Sequence, residues 1–199
     1  NRYLAYAYDS TFDGVIEEIQ IQQPHELVGQ RGYGFLLTGT LISLADGQGI
    51  EVTGENDIIV RGDIELRGQN SDLTLQSDTW VYWEGNASVS GNITIKGGVA
   101  SDGTPIGVSG GAKSKGVSLF VHETSKLSTK STASSILLHA GQDAIINGTV
   151  TAGGISSDEG VTWLGDGDSE VSVIAGQRIY VDSAIAASKL VSLTTTSIA

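Results

Sequence analysis

Hydrophobic and polar residues alternate along much of this chain in short runs that follow one recurring pattern. Each copy places apolar residues at alternate positions, then a small residue, and after three more residues a second apolar pair with one residue between. Four copies begin at Ile42, Leu73, Ile136 and Val171, and a looser fifth begins at Val117. A period of two is typical of β-strands and excludes amphipathic helices. Since one short coil of such strands cannot bury its apolar side, the copies are expected to stack on one another.

The spacing of the copies predicts how they stack. Val117 and Ile136 are 19 residues apart, and Ile136 and Val171 are 35 residues apart, close to two such units. Three short strands and three turns fill about 19 residues, which is one coil of a parallel β-helix. The prediction is an all-β, right-handed parallel β-helix of roughly ten coils.

Three regions depart from the regular pattern. Residues 1–34 contain Tyr3, Tyr6 and Tyr8 and alternate only in places, so they are interpreted as an irregular, strand-containing cap or junction. Residues 35–199 are assigned to the β-helix, with a Gly-rich loop insertion near 99–116 and a second candidate loop at 153–159. The strand-like run at 190–198 has no polar cap, so we expect the chain to work as part of something longer.

Composition excludes several classes of function. The chain has 11 Lys and Arg against 23 Asp and Glu, a net charge of −12, which opposes binding to nucleic acid. It contains no Cys and no Met, which removes disulfides and thiolate chemistry. No apolar run is long enough to span a bilayer as a helix. The 27 Gly and 2 Pro suit many short strands joined by tight turns.

Two stretches resemble a known family. Residues 138–154, LHAGQDAIINGTVTAGG, and residues 174–181, IAGQRIYV, resemble the repeat of filamentous haemagglutinin-like, two-partner-secreted bacterial adhesins. The rest of the chain matches in pattern only, and residues 1–34 do not match. The resemblance implies a right-handed β-helical stalk, a secreted or cell-surface location, and sugars on Asn in some members.

Several side chains are candidates for binding or modification. Trp80 and Tyr82 are expected to point outward next to Val81 and Trp83, which gives an exposed aromatic pair for a carbohydrate or protein ligand, although packing in the core is an equal alternative. Glycosylation sequons occur at three positions: Asn86, Asn92 and Asn147.

Enzymatic and metal chemistry find little support in the sequence. Neither catalytic residues, a metal site nor a cofactor is predicted, because His25, His122 and His139 are scattered and no compact acidic signature occurs. Residues 166–170 contain three carboxylates that could hold Ca²⁺ weakly, but a solvated turn is the simpler interpretation. Likewise, Arg61-Gly62-Asp63 forms the tripeptide that integrins recognise, yet Gly-Asp is also what a turn between strands requires.

The predicted function is therefore a non-enzymatic structural segment of a secreted bacterial cell-surface adhesin or filament. Its expected partners are a glycan or protein on a host or neighbouring cell or in the matrix, and further coils or copies of itself at its ends. One alternative is a self-assembling filament subunit joined end to end. Another is a polysaccharide-active β-helix enzyme, since such enzymes place their sites on the outer face of the rod.

Overall fold

The structure, a computed structural model, describes residues 5–6, 35–100, 102–105, 116–157, 160–163 and 167–196. Within these residues the chain is all-β and contains no helix, so no helix there could cross a membrane. The strands in chain order are β1 (Ala5–Tyr6), β2 (Phe35–Leu37), β3 (Leu41–Ser43), β4 (Ile50–Gly54), β5 (Ile58–Val60), β6 (Ile64–Leu66), β7 (Leu73–Ser77), β8 (Val81–Trp83), β9 (Asn86–Val89), β10 (Ile93–Gly97), β11 (Val117–Val121), β12 (Lys126–Thr129), β13 (Ser135–Ala140), β14 (Asp143–Ile146), β15 (Thr149–Ala152), β16 (Gly154–Ser157), β17 (Gly160–Trp163), β18 (Glu170–Ala175), β19 (Ile179–Val181), β20 (Ile185–Ala187) and β21 (Leu190–Thr195).

The strands form three parallel sheets that the chain visits in turn. Sheet 1 has the order β1-β2-β5-β8-β11-β14-β19, sheet 2 the order β3-β6-β9-β12-β15-β20, and sheet 3 the order β4-β7-β10-β13-β18-β21. Each coil contributes one strand to each sheet, and neighbouring strands come from successive coils. This is the predicted parallel β-helix, and the described residues contain six complete coils.

The number and length of the coils differ from the sequence prediction. In the first coils, equivalent residues such as Ile58 and Val81 are 23 positions apart, not about 19. Val117 and Ile136 lie in different sheets of one coil, so their spacing measures only part of a turn. The 35 residues from Ile136 to Val171 are one coil enlarged by the antiparallel hairpin β16–β17, not two coils. The prediction of ten coils was therefore wrong, because an insertion and a change of sheet both preserve the alternating pattern.

The phase of the pattern is correct in three of the four regular copies. In the fourth, the second half, Ile50 and Val52, is buried as predicted, but the first half is out of phase. The copies that begin at Leu73 and Ile136 run from sheet 3 into sheet 1, and their inward apolar side chains are buried. The copy at Val171 follows the same path. In the copy that begins at Ile42, Leu44 is 43% exposed, and the inward positions of that coil are instead Leu41 and Ser43. A one-residue slip moves every side chain of a strand to the opposite face.

The interior of the coils is a single apolar core. Inward side chains stack on the equivalent side chains of the next coil, as Leu73, Ile93 and Ile136 do in sheet 3. Trp83 is fully buried, and its Nε1 donates a hydrogen bond of 2.6 Å to the carbonyl oxygen of Gly85. Each fully buried Val, Leu or Ile is worth about 1.5–3 kcal/mol, so stacking stabilises the rod.

Glycine at the corners permits this close stacking. The corner after sheet 1 brings Gly39, Gly62 and Gly85 above one another in successive coils. A Cβ atom on Gly62 would overlap the carbonyl oxygen of Gly39, and one on Gly85 would overlap that of Gly62. Gly148, at the corner between β14 and β15, is in a similar position, because its Cβ atom would overlap the carbonyl oxygen of His122 in the preceding coil.

Two insertions interrupt the coils. The segment between β10 and β11 covers the predicted insertion at 99–116, of which residues 101 and 106–115 lie outside the described residues. Within it, Val99 forms an antiparallel bridge with Pro105. The second insertion is the hairpin β16–β17, which replaces the predicted loop at 153–159, lies between β15 and β18 in the chain, and contacts β12 and β15 of sheet 2. For the predicted cap at 1–34, only β1 is described, and it pairs in parallel with β2.

Candidate ligand-contact surface on sheet 1

The outer face of sheet 1 carries one apolar or aromatic side chain in every coil. These side chains are in register from coil to coil, and we refer to them as the sheet 1 row: Leu36, Ile59, Tyr82, Phe120, Ile145 and Tyr180. The first five are partly exposed, and Tyr180 is 47% exposed. The corresponding outer row of sheet 2, by contrast, contains Glu65, Ser88 and Ser128. Sheet 1 therefore presents the more apolar outer face.

Four rings meet at the middle of this row. Trp80 and Tyr82 are two residues apart at β8, Phe120 and His122 are two residues apart at β11, and Tyr82 is the register partner of Phe120. The ring centroids of Trp80 and Tyr82 are 5.7 Å apart, and those of Phe120 and His122 are 6.3 Å apart. We call these four residues the aromatic ladder.

The central pair of the ladder is stacked. The rings of Tyr82 and Phe120 are 5.3 Å apart and within 7° of parallel. Each ring therefore covers one face of the other, so a ligand could not stack on those two facing sides. Burial raises the pKa of Tyr82, and the nearby Glu84 carboxylate raises it further. The phenol consequently remains a protonated hydrogen-bond donor across the neutral range.

The ladder contains both predicted contact residues and two that the sequence analysis missed. Trp80 and Tyr82 are partly exposed on the outer face, as the outward hypothesis requires. Phe120 and His122 are about 40 positions further along the chain, beyond the insertion, so no local pattern connects them to Tyr82. The available signal was the alternation of Phe120 with the inward residues Leu119 and Val121.

Two of the predicted glycosylation sites take part in hydrogen-bonded columns at the corners. Asn92 donates from its backbone nitrogen and from Nδ2 to Asp72 Oδ1, at 2.6 and 3.1 Å. Its Oδ1 accepts from the backbone nitrogen and hydroxyl of Ser135 in the next coil, at 2.8 and 3.1 Å. Asn86 is held in the same way between Asp63 and the backbone of Lys126. Both amides thus connect three successive coils.

Asn147 differs from these two asparagines. Its backbone nitrogen donates to the Val121 carbonyl oxygen at 2.9 Å, while its partly exposed side chain has no hydrogen-bond partner among the described residues. Of the three sequons, Asn147 is the one whose amide nitrogen could be modified without disturbing a contact between described coils. Glycosylation itself stays a prediction.

The Arg61-Gly62-Asp63 tripeptide lies at a corner and is used between coils. Arg61 Nε is 3.1 Å from a carboxylate oxygen of Glu84, and Asp63 accepts two hydrogen bonds from Asn86. Gly62 packs directly over Gly39. All three residues therefore have a structural role that explains the tripeptide without a receptor.

The remaining polar candidates are dispersed. His122 belongs to the aromatic ladder, His139 lies on the outer face of sheet 3 beside Lys96, and His25 is outside the described residues. Lys189 Nζ lies 3.2 Å from Glu170 and 3.6 Å from Asp168, while Asp166 is outside the described residues. Across the part of the chain that the structure describes, no three His, Asp or Glu side chains are grouped to hold a metal ion.

Comparisons with protein-family models, with curated proteins and with solved structures found no match. The resemblance to the haemagglutinin-like adhesins therefore rests on the quoted residues of this chain.

Proposed function

We propose that this chain is a non-enzymatic structural segment of a secreted bacterial adhesin or filament, in which the β-helix acts as a rod that carries a contact surface. The observation that carries the proposal is the register of the three sheets through all six described coils. Each coil adds about 4.8 Å, so six coils span roughly 25–30 Å. Hydrogen bonds run from coil to coil along the whole stack, which makes such a rod stiff along its axis.

The contact surface of the proposal is the sheet 1 row. Its partner would be a glycan or a protein on another cell or in the matrix. The row carries no charge, whereas the whole chain has a net charge of −12. A neutral partner, or one with weakly basic groups at its margin, suits this surface better than an anionic polymer.

Location can be tested on intact cells. Antibodies raised against the purified chain should label cells of the source bacterium without permeabilisation, and protease added outside the cells should remove the signal. Labelling that appears only after permeabilisation would contradict a surface role.

Contact through sheet 1 needs a separate test. Beads coated with the chain should bind target cells or matrix, and the Ile145→Ser, Tyr180→Ser double variant should bind several-fold less. A matched control on sheet 3, Ser172→Ala with Thr94→Ala, should bind as the unchanged chain does. Equal loss in both variants would show that sheet 1 is not the contact surface. Release of reducing sugars from neutral or acidic glycans would favour the enzyme alternative instead.

A further inference from the structure

Charged side chains flank the sheet 1 row in its second and its sixth coil. Two residues before and after the row residue of β5 are Asp57 and Arg61, and two residues before and after the row residue of β19 are Arg178 and Asp182. Positions two apart along a strand point to the same side, so these four side chains lie on the outer face together with the row. Each of them is partly or fully exposed.

This face is open to a partner that approaches from the side of the rod. Its side chains point sideways, so further coils stacked before or after the described ones would leave them accessible. The hairpin β16–β17 contacts β12 and β15 and so covers part of sheet 2 instead, where the outward residue Thr151 is fully buried. The sheet 1 row and its flanking charges therefore form a lateral surface.

The signs of the four flanking charges alternate around the row. In the second coil the negative Asp57 comes before the row and the positive Arg61 after it, whereas in the sixth coil the positive Arg178 comes before and the negative Asp182 after. The fourth coil, with Phe120, lies midway between them. A half-turn about an axis along the strand of Phe120 exchanges the second and sixth coils. It brings Arg61 opposite Asp182 of a second copy, and Asp57 opposite Arg178.

We propose that the partner of the sheet 1 row is the same face of a second copy of this chain, displayed on a neighbouring cell. The two rods lie side by side and antiparallel about a twofold axis through Phe120, as rods that project from two facing cells would. The interface is isologous, because each copy contributes the same surface. This inference rests on the proposed function, since it names the partner of the same contact surface.

The apolar residues of the row are self-complementary under this axis. Tyr82 comes opposite Ile145 of the second copy, and Ile59 comes opposite Tyr180. Phe120 meets its own equivalent on the axis. Sheets that pack face to face lie about 10 Å apart, and side chains from both inner faces fill the space between them. Aromatic and branched aliphatic side chains therefore alternate across the contact.

The two remaining carboxylates of this face also avoid like charges. Glu84 follows the row by two residues and comes opposite Asn147 of the second copy, while Asp143 precedes the row and comes opposite Trp80. Each carboxylate also contacts an arginine of a neighbouring coil of its own chain, at 3.1 and 2.6 Å. Exposed ion pairs contribute little affinity, but opposed charges of unlike sign fix the orientation of two partners.

Beads coated with the chain test the pairing, because many weak contacts then act together. Beads with the unchanged chain should cluster with one another. Beads with Arg61→Asp and beads with Asp182→Arg should each cluster several-fold less, since each change opposes like charges across the axis. Mixed together, the two variants should cluster again, because each supplies the charge that the other lacks. The control variants Arg67→Asp and Glu51→Arg make the same changes away from sheet 1 and should cluster as the unchanged chain does.

The outcomes separate this inference from the proposed function. Absence of clustering with the unchanged chain, full clustering of either sheet 1 variant alone, or failure of their mixture to recover would overturn the inference. Beads that bind target cells or matrix but not one another would make a glycan or another protein the partner and would leave the proposed function standing. Absence of the chain from the cell surface would contradict the proposed function, whatever the beads do.

Cross-linking on clustered beads tests the antiparallel orientation. The chain has no cysteine, so single thiols can be introduced cleanly. Beads with Ile59→Cys mixed with beads with Tyr180→Cys should give a covalent pair with a short bismaleimide. Either variant alone should not, because its thiols would lie four coils apart, about 19 Å along the rod. Phe120→Cys, on the axis, should cross-link alone. Cross-linking of Ile59→Cys with itself, or no product from the mixture, would overturn the antiparallel arrangement.

Discussion

Ile146 and Val181 occupy the same inward position in successive coils, yet Ile146 is fully buried and Val181 is 41% exposed. The two residues are register partners in β14 and β19. The difference arises because Ile146 has a described coil on each side of it, whereas Val181 belongs to the last coil that the structure describes. Position in the stack therefore decides how much a given inward residue contributes to stability.

This pair gives the first prediction. Ile146→Asp should cost more than about 4 kcal/mol, because it buries an unpaired carboxylate, whereas Val181→Asp should cost about 1 kcal/mol. Urea unfolding, followed by circular dichroism at a protein concentration where the chain is monomeric, measures both. Equal losses of unfolding free energy in the two variants would mean that Val181 is as well covered as Ile146, which would contradict this prediction.

The corner glycines give the second prediction. Gly62→Ala should destabilise the chain by about 2–3 kcal/mol, because the added methyl group overlaps the backbone of the coil below. Gly54→Ala is the matched control, since its Cβ atom would make only an ordinary contact of 3.6 Å with the Asn56 carbonyl oxygen. Urea midpoints should separate the two variants clearly, and similar midpoints would argue against close contact at the Gly62 corner.

The third prediction concerns the stacked rings of the aromatic ladder. A double-mutant cycle with Tyr82→Ala and Phe120→Ala should give a coupling energy of about 1 kcal/mol. A second cycle with Tyr82→Ala and Tyr180→Ala should show no coupling energy, because the two tyrosines are three coils apart. Both belong to the sheet 1 row, so this cycle is the matched control. Coupling in the second cycle, or additivity in the first, would contradict the stacking geometry.

The fourth prediction is a pH dependence at His139. Burial lowers the pKa of His139 below its ordinary value of 6.5, and the positive charge of Lys96 lowers it further. The unfolded chain therefore binds this proton more readily than the folded chain. The contribution of neutral His139 to the free energy of unfolding is complete above pH 6.5. It is lost as the pH falls from the pKa of the unfolded chain to the lower pKa of the folded chain.

Substitution should confirm the origin of this pH dependence. His139→Gln should flatten the change in unfolding free energy between pH 7 and pH 5, and Lys96→Gln should reduce it only in part, because burial is the larger cause. Unfolding curves at several pH values measure the effect. A slope that is the same in all three proteins would assign the pH dependence to other groups.

The sequence predicted the architecture better than the number of coils. Alternation identified inward residues such as Leu75, Ile95 and Leu138 correctly, because their side chains must face a common core. The hairpin β16–β17 lengthened one coil without disturbing alternation on either side of it, so spacing alone counted that coil twice. Leu44 was assigned to the interior because it is two residues after Ile42 and so fits the alternating pattern. In the structure it directly follows the end of β3 and is exposed.

The candidate contact surface was predictable only in part. Trp80 and Tyr82 are adjacent to the inward residue Val81, so alternation placed them on the outer face. The stacking of Tyr82 on Phe120 depends on the register between β8 and β11, and a long insertion separates these strands in the chain. The hydrogen bonds of Asn86 and Asn92 to Asp63 and Asp72 likewise depend on which corners lie above one another.

The sequence by itself determined that this chain forms short strands with one apolar side, since alternation is a local property of each segment. Only the tertiary structure decided which strands are neighbours, how many coils there are, and which inward residues are covered. The physical reason is that each coil obtains its core and its hydrogen-bond partners from the coils beside it, as Ile146 does and Val181 does not.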